Sequence, residues 1–166
     1  MEFGGRYRIG APRLKVWEAL NDAEILKQTI PGCTRIEWTG ETTLEAAITA
    51  DLGVVKPTFT GMLEMSDVVP ASTYTLSGRG KGGLLGLAHG SADITLSDIG
   101  DECELFFTAQ AGASNAIMKL GKKLIGNAAQ HVIDGFFERF AEAMGVSLEV
   151  LPPDPDTERS PEGEGR

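Results

Sequence analysis

A glycine-rich segment carries the clearest chemical motif in the chain. Residues 78–83 read Gly-Arg-Gly-Lys-Gly-Gly, which matches the letters of the G-x-G-x-x-G dinucleotide fingerprint. That motif binds a pyrophosphate only where it follows a strand and opens a helix, because the helix N-terminus must meet the phosphates. Here the residues that follow, Leu87 to Leu96, alternate between apolar and polar as a strand does. We therefore predict a mobile hairpin at this position and no nucleotide site.

The histidines and cysteines show no spacing typical of a metal centre or a nucleophile. The two histidines, His89 and His131, have no Cys, Asp or Glu at metal-ligand spacing, so structural roles are expected for both. The two cysteines, Cys33 and Cys103, are too few for a disulfide framework or a zinc site. We expect them to be buried free thiols.

The charge of the chain limits its partners. A formal net charge of −9 over 166 residues argues against nucleic acid, whose non-specific affinity depends on contacts between basic side chains and phosphates. A local basic spot remains where Lys119, Lys122 and Lys123 follow one another closely. The N-terminus lacks a signal-peptide core, and no window approaches the roughly twenty apolar residues of a membrane span. We expect a cytoplasmic protein, with any membrane contact being peripheral and on the inner face of the cytoplasmic membrane.

The pattern of elements predicts one α+β domain. Glu2 to Ile9 alternates as a first strand, Pro12 suits the first turn of a helix, and Asp22 caps a second short helix. Short spacings between the stretches that follow indicate hairpins, hence an antiparallel meander. Six of these stretches alternate with period two: 33–38, 43–52, 57–65, 73–78, 87–96 and 102–111.

One long helix, Ser114 to Met144, is predicted to close the domain, because Met118, Ile125 and Phe136 fall on one helical stripe. A curved seven-stranded sheet cannot contact a single helix along its whole length. An internal cavity is therefore expected between them. The composition then changes to Pro, Asp, Glu and Gly. We predict a ligand-binding domain over residues 1–148 and an acidic, disordered tail over 149–166.

Four segments together resemble a known family over about residues 1–145. They are 21–33, with Ile30-Pro31-Gly32-Cys33 at its end, 53–61, 74–92, and 116–140. Their order and spacing resemble the G-subunit family of carbon monoxide dehydrogenase, in the superfamily that includes the birch-pollen allergen fold and steroidogenic lipid-transfer (START) domains. Each segment alone is unspecific, and the resemblance depends on all four.

The resemblance implies a helix-grip fold with a hydrophobic cavity. It also implies a non-enzymatic accessory protein of a molybdenum hydroxylase of the carbon monoxide dehydrogenase type. Such proteins are associated with holding the enzyme at the cytoplasmic membrane or with passing electrons to a quinone in the cavity. No covalent cofactor is implied, only a quinone or lipid held non-covalently. Relatives with a membrane role often carry a hydrophobic C-terminal segment, and residues 149–166 contain none.

The alternation of apolar side chains onto one face, together with the resemblance, predicts the residues that bind the ligand. The leucines of the glycine-rich hairpin could form a cavity lid or a membrane-dipping tip, or fold back into the core. The predicted lining is Phe59, Leu63, Leu76, Phe107, Ile117, Gly121 and Leu124, with Leu84 and Leu85 at the mouth.

Two other functions fit the same fold. In a pure docking module the cavity would be vestigial, and Lys119, Lys122 and Lys123 would recruit the enzyme. A cyclase- or hydrolase-type enzyme would instead need a polar group such as His89 or Tyr74 pointing into the cavity. The predicted inward faces are nearly all aliphatic or aromatic, which favours holding a ligand over converting it.

Overall fold

The computed structural model describes residues 1–53 and 55–152. All eight strands found there belong to one antiparallel sheet in the order β2-β3-β4-β5-β6-β7-β1-β8. The elements follow one another as β1 Glu2–Ile9, α1 Arg13–Leu20, α2 Ala23–Thr29, β2 Cys33–Trp38, β3 Thr43–Thr49, β4 Thr58–Val69, β5 Thr73–Lys81, a 3₁₀ turn Gly83–Leu85, β6 Leu87–Ile99, β7 Glu102–Ala113, α3 Asn115–Met118, α4 Lys122–Met144 and β8 Leu148–Leu151. The predicted α+β helix-grip class, with two short helices after the first strand, is confirmed.

The sheet has eight strands where the sequence predicts seven. The additional strand, β8, pairs antiparallel with β1 from Ile9 opposite Leu148 to Arg6 opposite Leu151. Four residues are too few to show a clear alternation. This strand forms because its backbone pairs with the edge of β1, not because of a local sequence pattern. The strand continues the sheet beyond the predicted domain boundary at residue 148. The rest of the predicted tail, residues 153–166, lies outside the described residues.

The prediction of one continuous helix from Ser114 to Met144 is wrong, because the chain breaks at Gly121. Its backbone φ of +107° lies outside the helical region and in a region that side chains with a Cβ rarely adopt. The chain therefore forms the short helix α3, capped by the Ser114 hydroxyl 3.3 Å from the Ile117 amide. The long helix α4 begins anew at Lys122.

This break predicts opposite effects of alanine at two glycines. Gly121→Ala should lower the free energy of unfolding by about 1–2 kcal/mol, because alanine is strained at a positive φ although no neighbour lies within 4 Å of its Cβ. Gly126→Ala should raise it by up to about 1 kcal/mol, because Gly126 lies inside α4 and its Cβ would meet only the Met1 sulfur at 3.8 Å. Urea unfolding of both variants measures the difference. Equal shifts would contradict the backbone argument.

The helix α4 packs tightly against the sheet only near its C-terminal end. Of its 23 residues, those fully buried are Phe137, Phe140 and Ala141. There the rings of Tyr7 and Phe137 stack at 3.9 Å, and Phe140 has no exposed surface. Elsewhere the backbone of α4 comes closest to α2, α3 and β8, not to the centre of the sheet. The helix is thus supported at its end and side, which leaves space between its middle and the sheet.

Candidate ligand-binding cavity

The space beneath α4 contains a partly open apolar region, here called the inner cavity, of about 310 Å³. This volume is within the range of roughly 300–1,000 Å³ typical of small-molecule sites. Its floor is the concave face of β2 to β7, with Leu63 and Leu76 at the centre, and its roof includes Val132 and Phe136 of α4. All 19 lining side chains are aliphatic, aromatic or methionine. The arrangement can hold an apolar molecule.

The apolar space continues toward the N-terminal end of α4. An outer cavity of about 380 Å³ lies between α3, the start of α4 and the end of β7, with Ile117 and Phe59 in its wall. A third space of about 470 Å³ shares Leu76 with the inner cavity and Phe59 with the outer cavity. The shared residues indicate one elongated groove with two lobes. An elongated molecule would fit it better than a compact one.

The structure brings five of the predicted ligand residues to this groove. Leu63, Leu76 and Phe107 line the inner cavity, and Phe59 and Ile117 line the outer cavity. They lie on three strands and α3. Their alternation along each strand is what the sequence pattern shows, and the antiparallel register places Leu63 of β4 beside Gly78 of β5. That these side chains bind a ligand stays a prediction.

The other four predicted residues do not line these cavities. Gly121 forms the break between α3 and α4, and Leu124 is half-buried near Gly53. Leu84 is fully exposed on the 3₁₀ turn, and Leu85 is half-buried beside it. The carbonyl of Leu85 accepts a hydrogen bond from the hydroxyl of Ser114, which ties this turn to the start of α3. The turn therefore lies next to the outer cavity but is not part of its wall.

The glycine-rich segment has a packing role at this site. A Cβ on Gly78 would approach the Leu63 side chain to 2.6 Å, and one on Gly82 would approach the Phe59 ring to 2.5 Å. Both glycines thus leave room for two cavity residues. The segment also runs from β5 into the 3₁₀ turn and then into the strand β6, as predicted, so no helix N-terminus faces it.

Sequence reasoning missed one wall of the inner cavity. Leu20, Leu26 and Ile30 line it from α1, α2 and the turn after α2, and Trp38 lines it from β2. The helical spacing of Leu20 and Leu26 indicates burial, but only the folded chain shows that the two short helices cover one end of the groove. The indole N–H of Trp38 is engaged, since it donates to the Asn21 carbonyl at 3.2 Å.

Polar groups are scarce in the inner cavity and more frequent toward the outer cavity. Tyr74 is the tyrosine of the inner cavity, and burial raises its pKa well above the ordinary value. His89 and His131 line the outer cavity, where both side chains are exposed. Among the described residues there is no group of three or more His, Cys, Asp or Glu arranged to hold a metal. The inner cavity thus offers a tyrosine but none of the acid–base partners that a cyclase or hydrolase would need beside it.

The two cysteines are predicted to differ in reactivity. Both are free thiols; Cys103 is fully buried, and burial raises its pKa to about 11, while Cys33 is half-buried and its pKa is also raised by burial. The raised pKa of Cys103 keeps the reactive thiolate rare at neutral pH. Ellman's reagent at pH 8 should therefore label Cys33 first and Cys103 only on unfolding. Equal rates in the native protein would contradict this, and Cys33→Ser isolates the signal of Cys103.

Comparison with known proteins identifies the family. The family model described as the G subunit of carbon monoxide dehydrogenase (CoxG) matches residues 5–145. The chain belongs to the CoxG family. The family name is that of a component of carbon monoxide dehydrogenase, so membership indicates an accessory role beside such an enzyme. A search of curated proteins found no significant match.

Solved structures agree with the CoxG assignment at the level of the fold. A conserved protein from Geobacillus kaustophilus is 27% identical, with a TM-score of 0.78 over 90% of this chain and 99% of the other. Ara h 8.0201 is 17% identical, with a TM-score of 0.62 over 86% and 96% of the two chains. The Zhui aromatase/cyclase from Streptomyces sp. R1128 is 13% identical, with a TM-score of 0.62 over 86% and 92%. The last two show that this CoxG protein shares its fold with Ara h 8.0201 and with an aromatase/cyclase.

The CoxG chain has no helix, within residues 1–53 and 55–152, that combines the length and apolar character needed to cross a bilayer.

Proposed function

We propose that this protein is a non-enzymatic accessory subunit of a carbon monoxide dehydrogenase-type molybdenum hydroxylase that holds an apolar ligand, a quinone or lipid, beneath α4. The observation that carries the proposal is the apolar groove itself. The groove is partly open to solvent and lined mostly by hydrocarbon, so an apolar ligand that covers its wall would remove apolar surface from water. A concave, mostly apolar groove of this size is typical of small-molecule sites. Membership of the CoxG family supports a carbon monoxide dehydrogenase-type enzyme as the partner.

The non-enzymatic interpretation rests on the chemistry of the lining. General acid–base catalysis needs groups within hydrogen-bond reach of the reacting atoms, and acyl transfer needs a nucleophile with a base beside it. The inner cavity contains Tyr74 but no carboxylate, histidine, lysine, serine or cysteine among its lining residues. The cyclase on the same fold keeps the enzymatic alternative open to test. Turnover of a cyclisation substrate that is lost in Tyr74→Phe would favour it.

Ligand binding can be followed through the two tryptophans. Trp38 lines the inner cavity, whereas Trp17 lies behind its wall, with its ring edge toward Tyr74 at 5.2 Å between centroids. A bound quinone should quench Trp38 more strongly than Trp17. Titration of 2-methyl-1,4-naphthoquinone into Trp17→Phe protein, which retains Trp38, should give saturable quenching. Quenching that is linear and equal in Trp17→Phe and Trp38→Phe proteins would reject a ligand in the inner cavity.

We further propose that the 3₁₀ turn brings the protein to an anionic bilayer surface. Leu84 is fully exposed and Leu87 is half-exposed, and together they form an apolar tip beside the outer cavity. The exposed Lys119, just after α3, and Lys122 and Lys123, at the start of α4, are close in the chain to the Ser114 that holds this turn. An apolar tip with basic neighbours suits a headgroup boundary, where each lysine near the surface adds about 1 kcal/mol. Loading of the ligand from a bilayer would then occur at this end of the groove.

Vesicle sedimentation tests the membrane contact. The wild type should sediment with phosphatidylglycerol vesicles and less with phosphatidylcholine vesicles, and Leu84→Gln should reduce sedimentation. Val69→Gln is the matched control, because Val69 is an exposed valine at the end of β4, paired with Thr73 at the opposite end of β5 from the 3₁₀ turn. If all proteins sediment alike, the proposed tip is rejected.

The same lysines separate membrane contact from protein docking. Reversal of Lys119, Lys122 and Lys123 to glutamate should weaken vesicle binding while co-purification with the enzyme persists. Loss of co-purification with unchanged vesicle binding would instead favour the pure docking module.

A further inference from the structure

Tyr74 places an unengaged hydrogen-bond donor in the wall of the inner cavity. The residue lies on β5, two positions before Leu76, and both line the inner cavity. Only 8% of its surface is exposed. The hydroxyl has no hydrogen-bond partner among the described residues, and none of their fully buried side-chain oxygens is unpaired. The phenol oxygen therefore retains accessible surface, although the residue as a whole is buried.

The rest of this lining offers no competing polar group. The indole N–H of Trp38 already donates to the carbonyl of Asn21 at 3.2 Å. The remaining side chains of the inner cavity carry neither a formal charge nor an N–H or O–H group. In the described part of the chain, the inner cavity thus presents one free donor in an uncharged apolar wall.

This arrangement distinguishes between classes of ligand. A carboxylate or ammonium group would enter without a counter-ion, at a high desolvation cost. A pure hydrocarbon would cover the Tyr74 hydroxyl without giving it an acceptor, and a buried donor without a partner is unfavourable. A neutral apolar molecule with one oxygen acceptor avoids both costs. Since burial raises the pKa of Tyr74, the phenol keeps its proton and stays a donor at physiological pH.

We propose that Tyr74 is a specificity-determining residue, which selects neutral apolar ligands bearing a carbonyl oxygen by donating a hydrogen bond to that oxygen. The inference rests on the proposed function, because it requires a ligand in the inner cavity. A quinone ring and the ester of a neutral lipid both offer such an oxygen. The carbonyl lies near Tyr74, and the apolar remainder extends toward the outer cavity.

Isothermal titration calorimetry on Tyr74→Phe tests the proposal with matched probes. The probes are 2-methyl-1,4-naphthoquinone and 2-methylnaphthalene, which share a fused-ring body but differ in the carbonyl oxygens. A second pair, methyl laurate and dodecane, represents the lipid source. The variant should bind a carbonyl probe about tenfold more weakly than the wild type, while hydrocarbon binding stays equal or becomes tighter. The pair that shows the tenfold difference identifies the source of the carbonyl.

Tyr7→Phe is the matched control, because Tyr7 is an equally buried tyrosine that does not line the inner cavity. It should leave the affinity for every probe unchanged. The infrared carbonyl band of the bound probe supplies a second readout: it should move to lower wavenumber in the wild type and in Tyr7→Phe, but not in Tyr74→Phe.

The outcomes distinguish a failure of the role proposed for Tyr74 from a failure of the proposed function. If carbonyl probes bind the wild type and Tyr74→Phe equally well, or if Tyr74→Phe weakens carbonyl and hydrocarbon probes alike, the role of Tyr74 is overturned and the proposed function stands. If no probe binds the wild type, both are overturned. A tenfold loss restricted to carbonyl probes, with the shifted band lost as well, supports the proposal.

Discussion

Ala109→Phe is expected to weaken ligand binding strongly while the protein stays folded. Ala109 lies on β7, half-buried, in the wall shared by the inner cavity and the space that joins it to the outer cavity. A phenyl ring at this position would occupy volume that a ligand must use. The affinity for 2-methyl-1,4-naphthoquinone should fall on the order of 100-fold, because the new phenyl ring would clash with a ligand in the groove.

The matched control is Thr108→Phe, one residue earlier on β7. Thr108 is exposed on the other face of the sheet, so the same ring is added without entering the groove. Its affinity for the naphthoquinone should equal that of the wild type. Thermal unfolding should show Ala109→Phe to be at least as stable as Thr108→Phe, because its ring enters existing apolar space. Undiminished binding by folded Ala109→Phe would place the ligand elsewhere.

Phe140→Ala is expected to have the opposite pattern, a large loss of stability with no direct contact removed from the groove. Phe140 has no exposed surface, stacks on Phe136 at 5.5 Å, and lies in the tightly packed end of α4. Removing a buried phenyl ring costs about 3–5 kcal/mol through lost burial and the void left behind. That is a large share of the roughly 5–15 kcal/mol typical of a domain.

Chemical denaturation measures this effect. Glu138→Ala, on the exposed face of the same helix, should shift the free energy of unfolding by no more than about 0.5 kcal/mol. A similarly small shift for Phe140→Ala would contradict the view that this end of α4 holds the helix to the sheet. Together with Ala109→Phe, the variant tests whether the packed end of α4 serves stability while the adjacent groove serves ligand binding.

The sequence predicts the elements of this fold well because their signals are local. The alternation in β4 places Leu63 on the inner face, and Asp22 accepts from the Glu24 amide at 2.9 Å as the cap of α2. Both features can be predicted from neighbouring residues alone. The strand β8 could not be predicted in this way, since it depends on the edge of β1, which is distant in the chain.

The candidate site is predictable on the strands and less so elsewhere. Phe59 and Leu76 follow the period of a strand. An unbroken helical period would place Gly121 on the inner stripe, but its positive φ turns the chain before α4 begins and moves it out of the groove wall. Tyr74 can be named from the sequence as a polar candidate, yet its unengaged hydroxyl depends on which side chains close around it. Such non-local closure is not encoded in any short stretch of sequence.

The central claim is that the groove beneath α4 holds an apolar ligand, and native mass spectrometry of protein purified gently from its own host tests it most directly. The wild type should carry an added mass that organic extraction identifies as a quinone or a neutral lipid, and Ala109→Phe prepared in the same way should lack it. If the wild type, like Ala109→Phe, shows only the mass of the bare chain, the claim is contradicted and a docking module is favoured.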